Sequence, residues 1–129
     1  MVTGLLGRVA GAMALVLLAS CGSSTSPYGG GGGCTPTATK VCMSGSQFSP
    51  SNLTVSAGTT VTWQNGDAVA HTVTSATGSA DVYNSGNLGG GATYTHQFST
   101  AGTYPYYCMN HGANGTPPTG MHGTITVNP

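Results

Sequence analysis

The sequence predicts an all-β fold, an antiparallel sandwich of seven to eight strands with Greek-key connections. Three observations carry that expectation. Short alternations of apolar and polar residues recur from Lys40 onward, clusters of Gly, Asn, Pro and Ser separate them, and no helical period sustains itself in that stretch. Thr and Val are abundant, and β-branched residues suit a pleated, half-buried surface. At 129 residues the chain has room for one domain of about 100 residues with appendages, and not for two.

The appendage comes first. Residues 1–20 carry one cation, Arg8, followed by an apolar run from Val9 to Leu18. That run falls short of the ~20 residues needed to cross a bilayer, so it reads as the core of a secretory signal peptide. The ending Leu18, Ala19, Ser20, Cys21 resembles the lipobox of bacterial lipoproteins. The resemblance implies cleavage before Cys21, diacylation of Cys21, and an extracytoplasmic domain anchored to a bacterial membrane by lipid. Residues 21–33 contain Ser, Thr25, Pro27, Tyr28 and five successive glycines at 29 to 33, with no apolar periodicity, and read as a flexible tether. The folded domain is therefore placed at 34–129.

Within that domain strands are expected at Val41 to Met43, Leu53 to Val55, Thr60 to Gln64, His71 to Ser75, Thr93 to Phe98, Thr103 to Cys108 and Met121 to Val127. Leu53 alternates with Val55, Val61 with Trp63, Tyr94 with His96 and Phe98, Tyr104 with Tyr106, and Ile125 with Val127, which puts one face of each strand in the core. Trp63 reads as core. One helical turn is expected, near Gly78 to Tyr83.

Charge excludes whole classes of function. The four formally charged residues are Arg8, Lys40, Asp67 and Asp81, and the net charge is zero. With one cation beyond the N-terminal segment there is nothing to neutralise phosphates, so nucleic acid is not a partner. The cysteines are more informative. With Cys21 assigned to the lipid, Cys34, Cys42 and Cys108 remain, and three thiols outside the cytoplasm cannot all pair within one chain. Cys34 and Cys42 lie close in sequence across a segment containing Pro36, and a local disulfide between them is expected. Cys108 is then the odd thiol.

Its neighbours explain why. Cys108 closes a strand, His111 follows on a turn, and Met121 opens the next strand after a Gly- and Pro-rich loop. A thiolate, an imidazole and a thioether thus converge from one loop, and His71, between the turn Asn65, Gly66, Asp67 and the strand Thr72, Val73, Thr74, is the candidate fourth ligand. Two histidines and a cysteine in a plane with a weak axial methionine form the ligand set of a blue-copper electron-transfer site.

From Phe48 to Val127 the chain resembles a cupredoxin of the plastocyanin and azurin type. The residues that carry the resemblance are "FSPSNLTVSAGTTVTWQN", "AHTVTS", "FSTAGTYPYYCMNHG" and "GMHGTITV". It implies His71, Cys108 and His111 as equatorial copper ligands and Met121 as the axial one. One departure stands out. Nine residues separate His111 from Met121, and the surplus, roughly Ala113 to Pro118, exceeds the family's shorter loops. A few added residues cost little closure entropy, well under ~1 kcal/mol, so ligation is not forbidden. Met109 is the rival thioether, but between Cys108 and His111 its side chain should point away.

The other candidates read as structural. His96 alternates with Tyr94 and Phe98, His122 neighbours Met121 and so faces the opposite side of the sheet, and Tyr104, Tyr106 and Tyr107 are aromatic residues at strand spacing. Thr72, beside His71, is a candidate hydrogen-bond tie to the ligand loop. The function implied is a one-electron carrier cycling a single type 1 copper between Cu(II) and Cu(I), a monomer that meets redox partner proteins near His111. The alternative is an extracytoplasmic lipoprotein that binds or delivers copper without carrying electrons. An enzyme is not expected. Multicopper oxidases flank the cysteine with histidines, whereas Tyr107 and Met109 flank Cys108, and no His-x-His pair occurs.

Overall fold

The computed structural model describes residues 33–129. The signal peptide, Cys21 and all of the tether up to residue 32 lie outside the described residues. Eight strands form in chain order: β1 (Lys40–Ser44), β2 (Gln47–Ser49), β3 (Asn52–Ser56), β4 (Thr59–Asn65), β5 (Thr74–Ser75), β6 (Thr93–Phe98), β7 (Gly102–Ala113) and β8 (Thr119–Asn128). They make two four-stranded sheets, ordered β2-β1-β4-β6 and β3-β8-β7-β5. The all-β sandwich expected from the alternations is what the chain builds.

Alternation decides which side chains meet between the sheets. In β4 it buries Val61, Trp63 and Asn65, in β7 Tyr104, Tyr106 and Cys108, and in β8 Met121, Gly123, Ile125 and Val127. Trp63 sits at the centre, with ring centroids 5.5 Å from Tyr106, 5.9 Å from Tyr94 and 6.2 Å from Phe98. The Tyr104 hydroxyl donates to the Thr100 carbonyl four residues back, which fixes the corner leading into β7. Cys34 and Cys42 are joined by a disulfide across a Cα separation of 5.7 Å, tying the segment before β1 to β1 itself.

Four details depart from the sequence reading. Two pairings are parallel, β1 with β4 and β3 with β8, rather than antiparallel. The chain changes sheets between β2 and β3 and again between β3 and β4, and such crossings return a strand beside its neighbour in the same direction. β2 was not expected. It forms a hairpin with β1 through Gly45 and Ser46, both with positive φ (60° and 56°), a two-residue turn whose twist matches the strands. The strand expected over His71 to Ser75 shrinks to Thr74–Ser75, because upstream amides go elsewhere: Thr72 donates to the Cys108 sulfur and Val73 to the Ser85 hydroxyl. No helical turn forms at Gly78 to Tyr83. Ala80 donates to the Thr103 carbonyl, and Tyr83 exchanges hydrogen bonds with Ser75, so this segment is a loop strapped to β5 and β7.

Candidate metal centre

Cys108 continues the inward face of β7 begun by Tyr104 and Tyr106, so ordinary strand alternation delivers its thiol, fully buried, to one end of the sandwich. Beyond Tyr107 the regular pairing of β7 with β8 breaks, and it resumes at Gly112 opposite Gly120. His111 lies in this irregular stretch rather than on a free turn, and the extra residue spacing re-aims its ring. It is exposed, whereas His71 and Cys108 are buried.

The three side chains converge. The Nδ1 atoms of His71 and His111 are 3.1 Å apart, and the Cys108 sulfur lies 3.7 Å from the first and 3.6 Å from the second. Donors held at ordinary metal–nitrogen and metal–sulfur lengths, about 2.0–2.3 Å, with angles of roughly 100–120° would stand about 3.1–3.8 Å from one another. The observed triangle fits one ion. His71 donates through Nε2 to the Asp67 carboxylate at 2.9 Å, which leaves the lone pair on Nδ1 facing the other two donors.

The loop that presents His71 is organised by Asn65, a fully buried side chain at the end of β4. Its amide donates to the Val69 and Leu88 carbonyls, each at 2.8 Å, and its oxygen accepts from the Asp67 amide. Asp67 in turn accepts from the amides of Gly45 and Ser46 in the β1–β2 turn. Partial burial pushes the Asp67 carboxyl upward in pKa, but those two amides and His71 outweigh it and hold it below the usual carboxylate value.

Thr72 ties the two halves of the centre together, as its sequence position suggested. Its amide donates to the Cys108 sulfur at 3.3 Å, and its hydroxyl accepts from the Met109 amide at 2.8 Å. Asn110 adds a second tie, donating to the Ala70 carbonyl and to Asn87. Asn65, Asp67 and Asn110 escaped the sequence reading as site residues. An Asn and an Asp in a Gly-containing turn signal turn chemistry, and nothing local announces their distant partners.

The two thioethers separate cleanly. Met121 is 3% exposed and packs in the core, while Met109 is 54% exposed with its sulfur beside the Asn84 amide. The surplus residues between His111 and Met121 do not hang loose. Gly112 pairs with Gly120 and Ala113 with Thr119, and the Asn114 side chain accepts from the Thr77 amide. Gly120 has φ +71°, and a Cβ there would stand 2.6 Å from the His111 carbonyl oxygen. The backbones can approach this closely only because both residues are glycine.

The family model for copper binding proteins of the plastocyanin/azurin family matches residues 35–128. The chain belongs to that family. Plastocyanin from Scenedesmus fuscus is 38% identical over 89 residues, 62% of this chain and 85% of that protein. Among solved structures, a purple cupredoxin from Nitrosopumilus maritimus superposes with a TM-score of 0.56 at 32% identity, covering 70% of this chain and 99% of that one. A copper-containing nitrite reductase from Thermus scotoductus gives a TM-score of 0.62 at 27% identity over 74% of this chain, but only 23% of that larger chain. This cupredoxin therefore takes copper as its metal, and the cluster of His71, Cys108 and His111 fits a mononuclear site.

His122 and His96 take no part in the cluster. His122 is exposed, with Nδ1 2.8 Å from the Gly120 carbonyl oxygen, and His96 pairs with Asp81 while stacking on Tyr83. Tyr106 is wholly buried, its hydroxyl is without a hydrogen-bond partner among the described residues, and burial raises its pKa. That environment suits a core residue.

Proposed function

We propose that this cupredoxin is a one-electron carrier with a type 1 copper site, in which His71, Cys108 and His111 are the equatorial ligands and Met121 the axial one. The observation that carries the reading is the triangle of two imidazole Nδ1 atoms and one buried thiol at 3.1, 3.6 and 3.7 Å. Bound copper would supply a Cu(II)/Cu(I) couple there. The chain's own residues do the rest. The Thr72 amide donates to the Cys108 sulfur, while the Thr72 hydroxyl and Asn110 hold the two ligand-bearing segments in one arrangement for both oxidation states.

His111 is the exposed member of the cluster and offers the electron its way out, so redox partners would dock around it. The described residues carry three charged side chains, Lys40, Asp67 and Asp81, which favours an apolar, weakly salt-dependent encounter. The Cys34–Cys42 disulfide and the lipobox-like ending at Cys21 support an extracytoplasmic, lipid-anchored location.

The test is a visible absorption spectrum of the Cu(II)-loaded protein before and after reduction. An intense thiolate-to-copper band that bleaches with one electron, and that Cys108→Ser abolishes, supports the carrier. Weakly bound, readily exchanged Cu(I) without that band would move the function to copper handling.

A further inference from the structure

Asp67 is one of two acidic side chains in the sequence, and its partners differ from those of the other. Asp81 pairs with His96 at the surface, whereas Asp67 reaches inward to a fully buried histidine of the metal cluster. In the same residue the carboxylate also closes the β1–β2 turn, where Ser46, a residue with a side chain, holds a positive φ. One anionic group thus spans two strands' hairpin, the loop after β4 and a ligand ring.

We propose that Asp67 is a positioning residue of the copper centre, fixing the tautomer and orientation of His71 and lowering the reduction potential of the bound metal. The proposal rests on the copper-site reading above. A carboxylate can only accept here, so His71 must carry its proton on Nε2 and present Nδ1 to the metal. Carboxylate acceptors behind a ligating imidazole raise the basicity of the ligand, and their loss commonly costs about 10–100-fold in metal affinity. A net negative charge one ring away from the metal favours Cu(II) over Cu(I). Because His71 is buried, water cannot take over the orienting role when the carboxylate is removed.

The experiment compares the copper-loaded wild type with Asp67→Asn, Asp81→Asn and the double variant Asp67→Asn/Ser46→Gly. Reduction potential is read by redox titration of the visible band, and the His71 tautomer by nitrogen-15 NMR of the copper-free protein. Asp67→Asn should shift the Cu(I)/Cu(II) preference at least tenfold toward Cu(I), about 59 mV for a one-electron couple. It should also lose the single Nε2–H tautomer, while Asp81→Asn changes neither. Ser46→Gly relieves the turn and restores stability lost there, so a potential that stays high in the double variant separates positioning from folding.

A potential in Asp67→Asn equal to that of Asp81→Asn, or one that Ser46→Gly returns to the wild-type value, overturns the proposal. Failure of the underlying copper reading looks different, because the wild type itself would then show no thiolate-to-copper band.

Discussion

His71 and His111 bring the same ring nitrogen to the same point, yet the chain holds the two rings by different means. The His71 side is a web of side-chain hydrogen bonds: Asn65 to Val69, Leu88 and Asp67, then Asp67 to the β1–β2 turn and to the ring itself. The His111 side has a thinner one: the Thr72 hydroxyl takes the Met109 amide, and the Asn110 side chain reaches the Ala70 carbonyl and Asn87. The polar contacts of the His111 ring among the described residues run to His71 and Cys108, so these ties hold its chain neighbours rather than the ring, and Gly112 against Gly120 closes the hairpin behind it. The buried ring is held directly by a carboxylate, and the exposed one through the ties of its chain neighbours and a close backbone approach behind it. The two halves should therefore fail in different ways.

The largest effect is expected at Asn65. Asn65→Ala leaves the Val69 carbonyl and the Asp67 amide without their partner, whereas the Leu88 carbonyl keeps the His71 amide. Unmet polar groups cost about 1–3 kcal/mol each, less for these part-buried ones, and the lost Asn65 side chain, itself fully buried, leaves a cavity, so unfolding in urea should show a loss of about 3 kcal/mol or more. The copper-loaded remainder should have a broadened visible band as His71 loses its fixed loop. If stability fell but the band stayed sharp, the web would serve the fold alone.

Gly120→Ala tests the other half. The φ of +71° is costly for alanine, and the new Cβ would meet the His111 carbonyl oxygen and the Gly112 Cα at 2.6 and 2.8 Å, backbone atoms that have no easy retreat. A loss of about 2–4 kcal/mol is expected, with copper binding impaired at His111 while the Asp67–His71 hydrogen bond persists in NMR spectra of the copper-free protein. Loss of that hydrogen bond as well would mean that the two halves are one cooperative unit.

These two halves were not equally legible in the sequence. Cys108 follows Tyr104 and Tyr106 at the strand period, and Met121 leads Ile125 and Val127 at the same period, so their burial could be read directly. His111 joined them from the same loop and His71 from its place between a turn and a strand, and the resemblance to cupredoxins implied the same four ligands. The His71 web was hidden because it is non-local: Asp67 meets amides 21 and 22 residues upstream, and Asn65 meets a carbonyl 23 residues downstream. The same locality limit hid β2, whose three residues carry one apolar side chain, Phe48, and the parallel pairings of β1 and β3, which no periodicity encodes. The over-long strand at His71 has the same origin, since the Cys108 sulfur that takes the Thr72 amide lies 36 residues away.

A smaller effect on stability sharpens the axial assignment. Met121→Leu keeps volume and burial, so it should cost less than about 1.5 kcal/mol while changing both the visible spectrum and the potential. Met109→Leu, at an exposed position, should stay within about 0.5 kcal/mol and leave the spectrum alone. A spectrum that responds to Met109 and ignores Met121 would reverse the assignment and mean that the lengthened hairpin has withdrawn the expected thioether.

The smallest effect concerns the exposed ring itself. If electrons leave by His111, two copies of the protein can exchange an electron through that end, and its chain neighbours are uncharged: Met109 and Asn110 precede it, and Gly112 and Ala113 follow. Electron self-exchange, measured from NMR line broadening in mixtures of oxidised and reduced protein, should therefore change by less than about tenfold between low and high salt, because charge steering has nothing to act on. His111→Gly with imidazole added from solution refills the ligand position and moves the exit edge, so it should slow exchange without restoring any salt dependence. A steep salt slope in the wild type would instead point to transfer near Asp67, on the web side of the centre, and would make the buried ring the electron's route.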